Sequence, residues 1–87
     1  MLKVMKPAIK DKHGNLHTMP SWKYSHESIL DDGKPVDGKK GFVLSDGTFV
    51  GRRKAASVAW QAKQITKQVD KLHTEHLREA AGVKEIM

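Results

Sequence analysis

The chain has 87 residues and no cysteine, which allows one domain with one small core and excludes both a disulfide framework and a thiolate metal site. Hydrophobic residues make up 38% and aromatic residues 6%, below an ordinary globular composition, yet the apolar positions are patterned, which excludes a fully disordered chain. The formal net charge of +6 points to anionic partners: nucleic acid, a nucleotide or an acidic protein surface.

LKVMKPAIK, residues 2 to 10, predicts a strand that Pro7 places at a sheet edge or splits. DKHGN, residues 11 to 15, is a turn by composition, with Gly14 and Asn15 open to positive φ, and LHTMP, residues 16 to 20, predicts a short return strand. SWKYSHESIL, residues 21 to 30, sets Trp22, His26, Ile29 and Leu30 on one helical face, with Ser21 or Ser25 as the N-cap of a short helix. DDGKPVDGKK, residues 31 to 40, reads as an exposed connecting loop. In GFVLSDGTFV, residues 41 to 50, Asp46 and Gly47 predict a tight hairpin turn.

Gly51 breaks the extended run, and RRKAASVAWQAKQ opens an alanine-rich helix. Ala55, Val58, Ala62, Ile65, Val69 and Leu72 then form a heptad-like stripe that predicts a long C-terminal helical region ending at Gly82. Its segment over about residues 66 to 81 is expected to serve self-association or partner binding. The fold expectation is therefore α+β: small antiparallel hairpins packed with one short helix and a long C-terminal helical region, in a single domain over residues 1 to 87. No apolar run reaches the length of a signal-peptide core or a membrane span, so the expectation is a soluble intracellular protein.

Three cations, Arg52, Arg53 and Lys54, open the predicted helix, where the macrodipole and unpaired N–H groups already favour negative charge. A phosphate docked at this corner would meet backbone donors and a guanidinium that grips two oxygens. Residues 1 to 40 and 41 to 87 each carry eight Lys/Arg and five Asp/Glu, so the positive charge belongs to the body of the chain and not to a basic tail. His73 and His76 lack a third strong ligand and the HExxH pattern, so no metal site is assigned. No nucleophile elbow, phosphate loop of P-loop spacing or carboxylate pair in a recognisable catalytic context is present, which points away from an enzyme. Trp22, Tyr24 and Trp60 offer stacking surfaces for nucleic acid, but the two tryptophans read first as core.

Gly41, Phe42, Ser45, Gly47, Phe49, Val50, Arg52, Ala55, Ala59, Ala62, Gln64 and Ile65 carry a pattern that resembles a family of short bacteriophage proteins. Upstream, Ala8, Ile9, His26 and Ile29 fit the same layout. The chain departs from the pattern at Ser25, at Gly51 in place of an Asp or Asn helix cap, and at Lys63 in place of a glycine. The resemblance implies a phage origin and a setting in the host cytoplasm. Within it, His26, Arg52 and Gln64 are matched polar positions in separate segments, and their convergence on one pocket is the expectation, with Ser45 and Arg53 as further ligand contacts. Together these imply a non-enzymatic protein without a cofactor that binds a phosphate-bearing, nucleotide-like molecule and counteracts a host defence. The alternatives are an inhibitor docked on a host nuclease or polymerase and a nonspecific nucleic-acid binder.

Overall fold

A computed structural model describes residues 2–31 and 33–82. In chain order its elements are β1 (Val4–Asp11), β2 (Leu16–Thr18), a 3₁₀ turn (His26–Ser28), β3 (Leu30–Asp31), β4 (Lys34–Pro35), β5 (Gly38–Leu44), β6 (Phe49–Gly51), α1 (Arg52–Gln61) and α2 (Thr74–Ala81). The architecture is α+β, a four-stranded antiparallel sheet of order β2-β1-β5-β6 with two helices, beside a separate two-stranded ladder of β3 and β4.

β1 is a central strand, not the edge strand that Pro7 suggested. The Pro7 carbonyl accepts from the Met19 N–H at 3.4 Å, beyond the last β1–β2 pair at Ala8 and Thr18. A residue's N–H and C=O point the same way in a strand, so the donor that proline lacks faces the end of β2 and no bond to β5 is lost. The register slips between Val4 and Lys6, leaving Met5 as a bulge whose carbonyl accepts from the Trp22 N–H at 3.0 Å.

Both predicted turns form as their residues require. Asp11 Oδ1 accepts from the His13 and Asn15 N–H groups at 2.9 Å, and its Oδ2 meets His17 Nε2 at 2.8 Å. The His17 bond, and then the Asn15 amide, hold the Asp11 carboxyl down at about 2. At the second hairpin Asp46 Oδ1 accepts from the Thr48 N–H at 3.0 Å, and Gly47 takes the left-handed φ of 88°.

Three expectations fail. The helix over residues 21 to 30 shrinks to the 3₁₀ turn His26–Ser28, because Trp22 donates its N–H to Met5 and the chain runs alongside β1 before it crosses beneath the sheet. Within the predicted loop over residues 31 to 40, where Asp32 lies outside the described residues, β3 pairs with β4 and Gly38 already begins β5. The long C-terminal helix is interrupted: α1 stops at Gln61 and α2 starts at Thr74.

The interruption has a local cause. Lys63 lies in the left-handed region at φ 59°, its N–H donates to the Trp60 carbonyl at 3.1 Å, and the Gln64 N–H donates to Ala59 at 2.8 Å. That pair of bonds is a Schellman closure. Gln64 then turns its carboxamide onto the main chain of Val4, accepting from the N–H at 2.7 Å and donating to the carbonyl at 2.9 Å. The side chain behaves as a one-residue strand, and the chain folds back onto β1. Ile65 and Leu72 consequently join Ala55, Val58, Ala59, Phe42 and Leu77 in the core. The predicted stripe is therefore not carried by one continuous helix. At the far end Gly82 caps α2 in the left-handed region at φ 69°, as its position implied. Among the described residues no helix is long and apolar enough to cross a membrane.

Candidate anion-binding site

β6 pairs with β5 only from Gly41 to Val43, because the chain leaves the sheet at Gly51 to begin α1. On that side Gly38, Lys39 and Lys40 have no partner strand among the described residues. A cleft of about 560 Å³ lies there, lined by Gly38, Lys39, Lys40, Gly51, Arg52, Arg53 and Lys71. Five of these seven residues are cations and none is acidic. The Leu72 N–H donates to the Arg52 carbonyl at 3.0 Å, which brings Lys71 to the start of α1. The stem of Lys39 lies against Gly51, where an added Cβ would meet its Cε at 3.4 Å.

The helix terminus adds to this potential. Gly51 supplies no side-chain cap, and the first turn of α1 contains no acid. Its amide groups therefore keep their partial positive charge beside Arg52 and Arg53, an arrangement that is unfavourable until an anion arrives. Among the described residues no carboxylate lies within ion-pair distance of the five cations. The cleft has the composition for a phosphate-bearing group, with planar guanidinium forks and mobile ammonium groups together.

A second cleft, of about 320 Å³, shares Lys40 and Arg52 with the first and continues past Ser25, His26, Glu27, His73, Thr74, Glu75 and Arg78. Here Glu27 and Glu75 offset the cations. The Glu27 carboxyl is held below its usual range first by its own amide, with the Ser25 hydroxyl and Lys40 acting in the same direction.

His26 and Arg52 both line this second cleft, so two of the three matched polar residues are brought together. His26 is nonetheless buried and committed. Its Nε2 lies 2.8 Å from the Gly41 carbonyl, and because that partner only accepts, Nε2 carries the proton and donates. The ring meets Phe42 edge-on, with centroids 4.9 Å apart. Burial lowers the pKa below the ordinary value of 6.5, and Lys40 and Arg52 push the same way. A neutral imidazole in this setting anchors the 3₁₀ turn to β5 and adds no charge to the cleft.

Gln64 stands apart on the Val4 main chain, beside Trp22, and does not meet Arg52 or His26. Ser45 is at the hairpin end of β5, where its Oγ accepts from the Lys3 N–H at 3.1 Å and its own N–H donates to the Lys3 carbonyl at 2.9 Å. Of the five predicted contacts, Arg52 and Arg53 alone line the all-cation cleft. His73 and His76 close the start of α2: the His73 N–H donates to His76 Nδ1 at 3.1 Å, and the rings pack with centroids 5.4 Å apart. Burial, and then Arg52, lower the His73 pKa.

A sequence profile described as phage T4 y16D protein matches residues 6–80. The chain belongs to this bacteriophage family. Neither a curated protein nor a solved structure matches it significantly. The y16D match runs from within β1 to the penultimate residue of α2 and includes all five cations of the cleft, so the resemblance to short phage proteins holds at the level of the family. In this y16D-family chain, sequence reasoning missed Lys39, Lys40 and Lys71. Lys39 and Lys40 were assigned to a loop, and Lys71 neighbours a stripe position. Their shared charge was the available signal.

Proposed function

We propose that this y16D-family protein is a non-enzymatic phage protein that binds a phosphate-bearing, nucleotide-like ligand and so withdraws it from a host defence system. The observation that carries this reading is the convergence of Lys39, Lys40, Arg52, Arg53 and Lys71 on one cleft without an acid, at an uncapped helix start. Family membership supplies the phage setting. Anion capture needs no nucleophile, general base or metal, which fits a chain whose two best-placed histidines are occupied with the Gly41 carbonyl and the cap of α2.

Calorimetry at low salt with pyrophosphate, adenosine triphosphate and cyclic dinucleotides tests the proposal. Saturable heat that weakens about tenfold or more in Arg53→Ala, with an unchanged unfolding midpoint, supports it. Absence of heat with every phosphate probe overturns it. A second reading, docking on an acidic face of a host nuclease or polymerase, is favoured by the outer side of α1. There Arg53, Ser57 and Trp60 follow one another at helical spacing and Trp60 is 42% exposed. That reading expects capture of a host protein to depend on Trp60 and to ignore added nucleotide.

A further inference from the structure

The pairing register sorts the sheet into two faces, since residues opposite one another in an antiparallel ladder point the same way. Val4 with Leu44, and Phe42 with Val50, lie on the face against which α1 and α2 pack. The other face carries Lys6, Ala8, Lys10, Lys39, Gly41, Val43 and Phe49; Ala8 and Val43 are buried within it, and none of these residues belongs to the core cluster beneath the helices. Lys10 and Lys39 are exposed and directly opposite one another, while Val43 is flanked in register by Lys6 and Phe49.

Phe49 lies across Gly41. A Cβ on that glycine would collide with the Val50 carbonyl oxygen and fall 2.7 Å from the Phe49 Cζ, so glycine serves both the close strand approach and the seat of the ring. One side of the ring is therefore spent on the Gly41 main chain. The Lys10 ammonium is 6.0 Å from the ring centroid. An aromatic ring backed by main chain and covered by a mobile cation is a stacking surface next to a phosphate contact. Lys6, Lys10 and Lys39 are the charged strand residues of this face, and no carboxylate stands among them. Two carboxylates, Asp11 at the end of β1 and Asp37 just before β5, share a depression with Lys10 and Lys39 at the margin. Lys39 also lines the all-cation cleft, so the basic surface is continuous from Phe49 to Arg53 and Lys71.

We infer that the helix-free face of the sheet binds single-stranded nucleic acid, with a base stacked on Phe49 and the phosphates led by Lys10 and Lys39 into the cleft. A duplex cannot supply this base, because its own stack holds it. The inference rests on the cleft's affinity for phosphate and names a polymeric ligand for it.

Fluorescence anisotropy with a short oligothymidylate, the matching oligouridylate and a duplex of equal length, beside calorimetry with pyrophosphate, separates the two readings. Single strands are expected to bind tighter than duplex, with affinity that falls steeply as salt rises. Phe49→Leu is expected to weaken the oligonucleotide about tenfold or more and leave pyrophosphate unchanged, whereas Phe49→Tyr keeps both. Lys10→Gln, at an exposed position that leaves the fold intact, is expected to weaken the oligonucleotide alone. Pyrophosphate binding without oligonucleotide binding overturns the platform and leaves the cleft standing. Equal oligonucleotide affinity in Phe49→Leu, Lys10→Gln and the parent also overturns it. Loss of pyrophosphate and oligonucleotide binding together removes the cleft reading as well. Preference between the thymidylate and uridylate strands identifies DNA or RNA as the source.

Discussion

The two clefts that share Lys40 and Arg52 differ in how their side chains are employed. The all-cation cleft is built from residues whose charged ends have no hydrogen-bond or ion-pair partner among the described residues, around β5 main chain that lacks a partner strand among those residues on the side away from β1. Beyond those two shared cations, the mixed cleft holds several engaged residues, His26 with Gly41, Glu27 with Ser25, and the His73 main chain with His76, beside Arg78, whose buried Nη1 has no hydrogen-bond partner among the described residues. On the proposed function, the difference separates a surface open to a ligand from one whose engaged residues hold the 3₁₀ turn, β5 and α2 together. Removing a side chain from the first should cost affinity. Removing one from the second should cost stability.

The sharpest attempt to break this contrast is His26→Ala. It removes a buried ring, its bond to the Gly41 carbonyl and its contact with Phe42, and it should lower stability by about 3 kcal/mol in urea unfolding. Arg53→Ala and Lys71→Ala, on the other side, should each change stability by less than about 0.5 kcal/mol. Comparable losses at His26 and Arg53 would erase the distinction.

Gln64→Ala comes next. It strips both hydrogen bonds from the main chain of Val4, a residue with no exposed surface, and should cost about 2 kcal/mol by chemical denaturation while leaving phosphate affinity untouched. A loss of affinity at constant stability would instead return Gln64 to the ligand site.

Lys63→Gly should act in the opposite direction. A lysine with φ near 59° bears a steric cost that glycine lacks, so the variant should gain about 1 kcal/mol and raise the thermal midpoint. The smallest effect is in pH. His26 is held below 6.5 in the folded chain, so the unfolded chain takes up its proton first as pH falls. Stability from this group is full above about 6.5 and declines as pH drops through the folded value. His73 shifts in the same direction. Urea midpoints at pH 8 and pH 5.5 should differ more in the parent than in His26→Gln.

What the sequence disclosed was local. Asp46 with Gly47, Gly14 and Gly82 each sit where a turn or cap needs their conformation, and the helix start at Arg52 follows from the break at Gly51. The long-range arrangement was hidden for specific reasons. Pro7 looked like an edge residue because its missing donor can face either side of a strand, and only the Met19 bond shows which. The break after Gln61 depends on Lys63, a residue type with no turn preference, although its place where the family pattern has glycine was a clue in hand. Ile65, Val69 and Leu72 continued the helical spacing by coincidence, since a chain folding back onto the same core again needs apolar residues. Two of the five cations of the candidate site were legible: Arg52 and Arg53 are local to the helix start, whereas Lys39, Lys40 and Lys71 reach it through strand pairing and the Leu72 bond to Arg52.

The unpaired border of β5 carries a further consequence. On the side away from β1, Gly38 to Lys40 present a strand edge without a partner strand among the described residues, and such an edge is a template onto which the strand of another molecule can add. Lys39 and Lys40 stand on that edge and Lys71 faces it, so each approaching strand meets like charge and must strip water from ammonium groups. The cations proposed to receive an anion would thus also oppose strand addition at this edge. Neutralising them to abolish binding would yield a chain prone to aggregate, and solubility must be followed alongside affinity in any variant of this cleft.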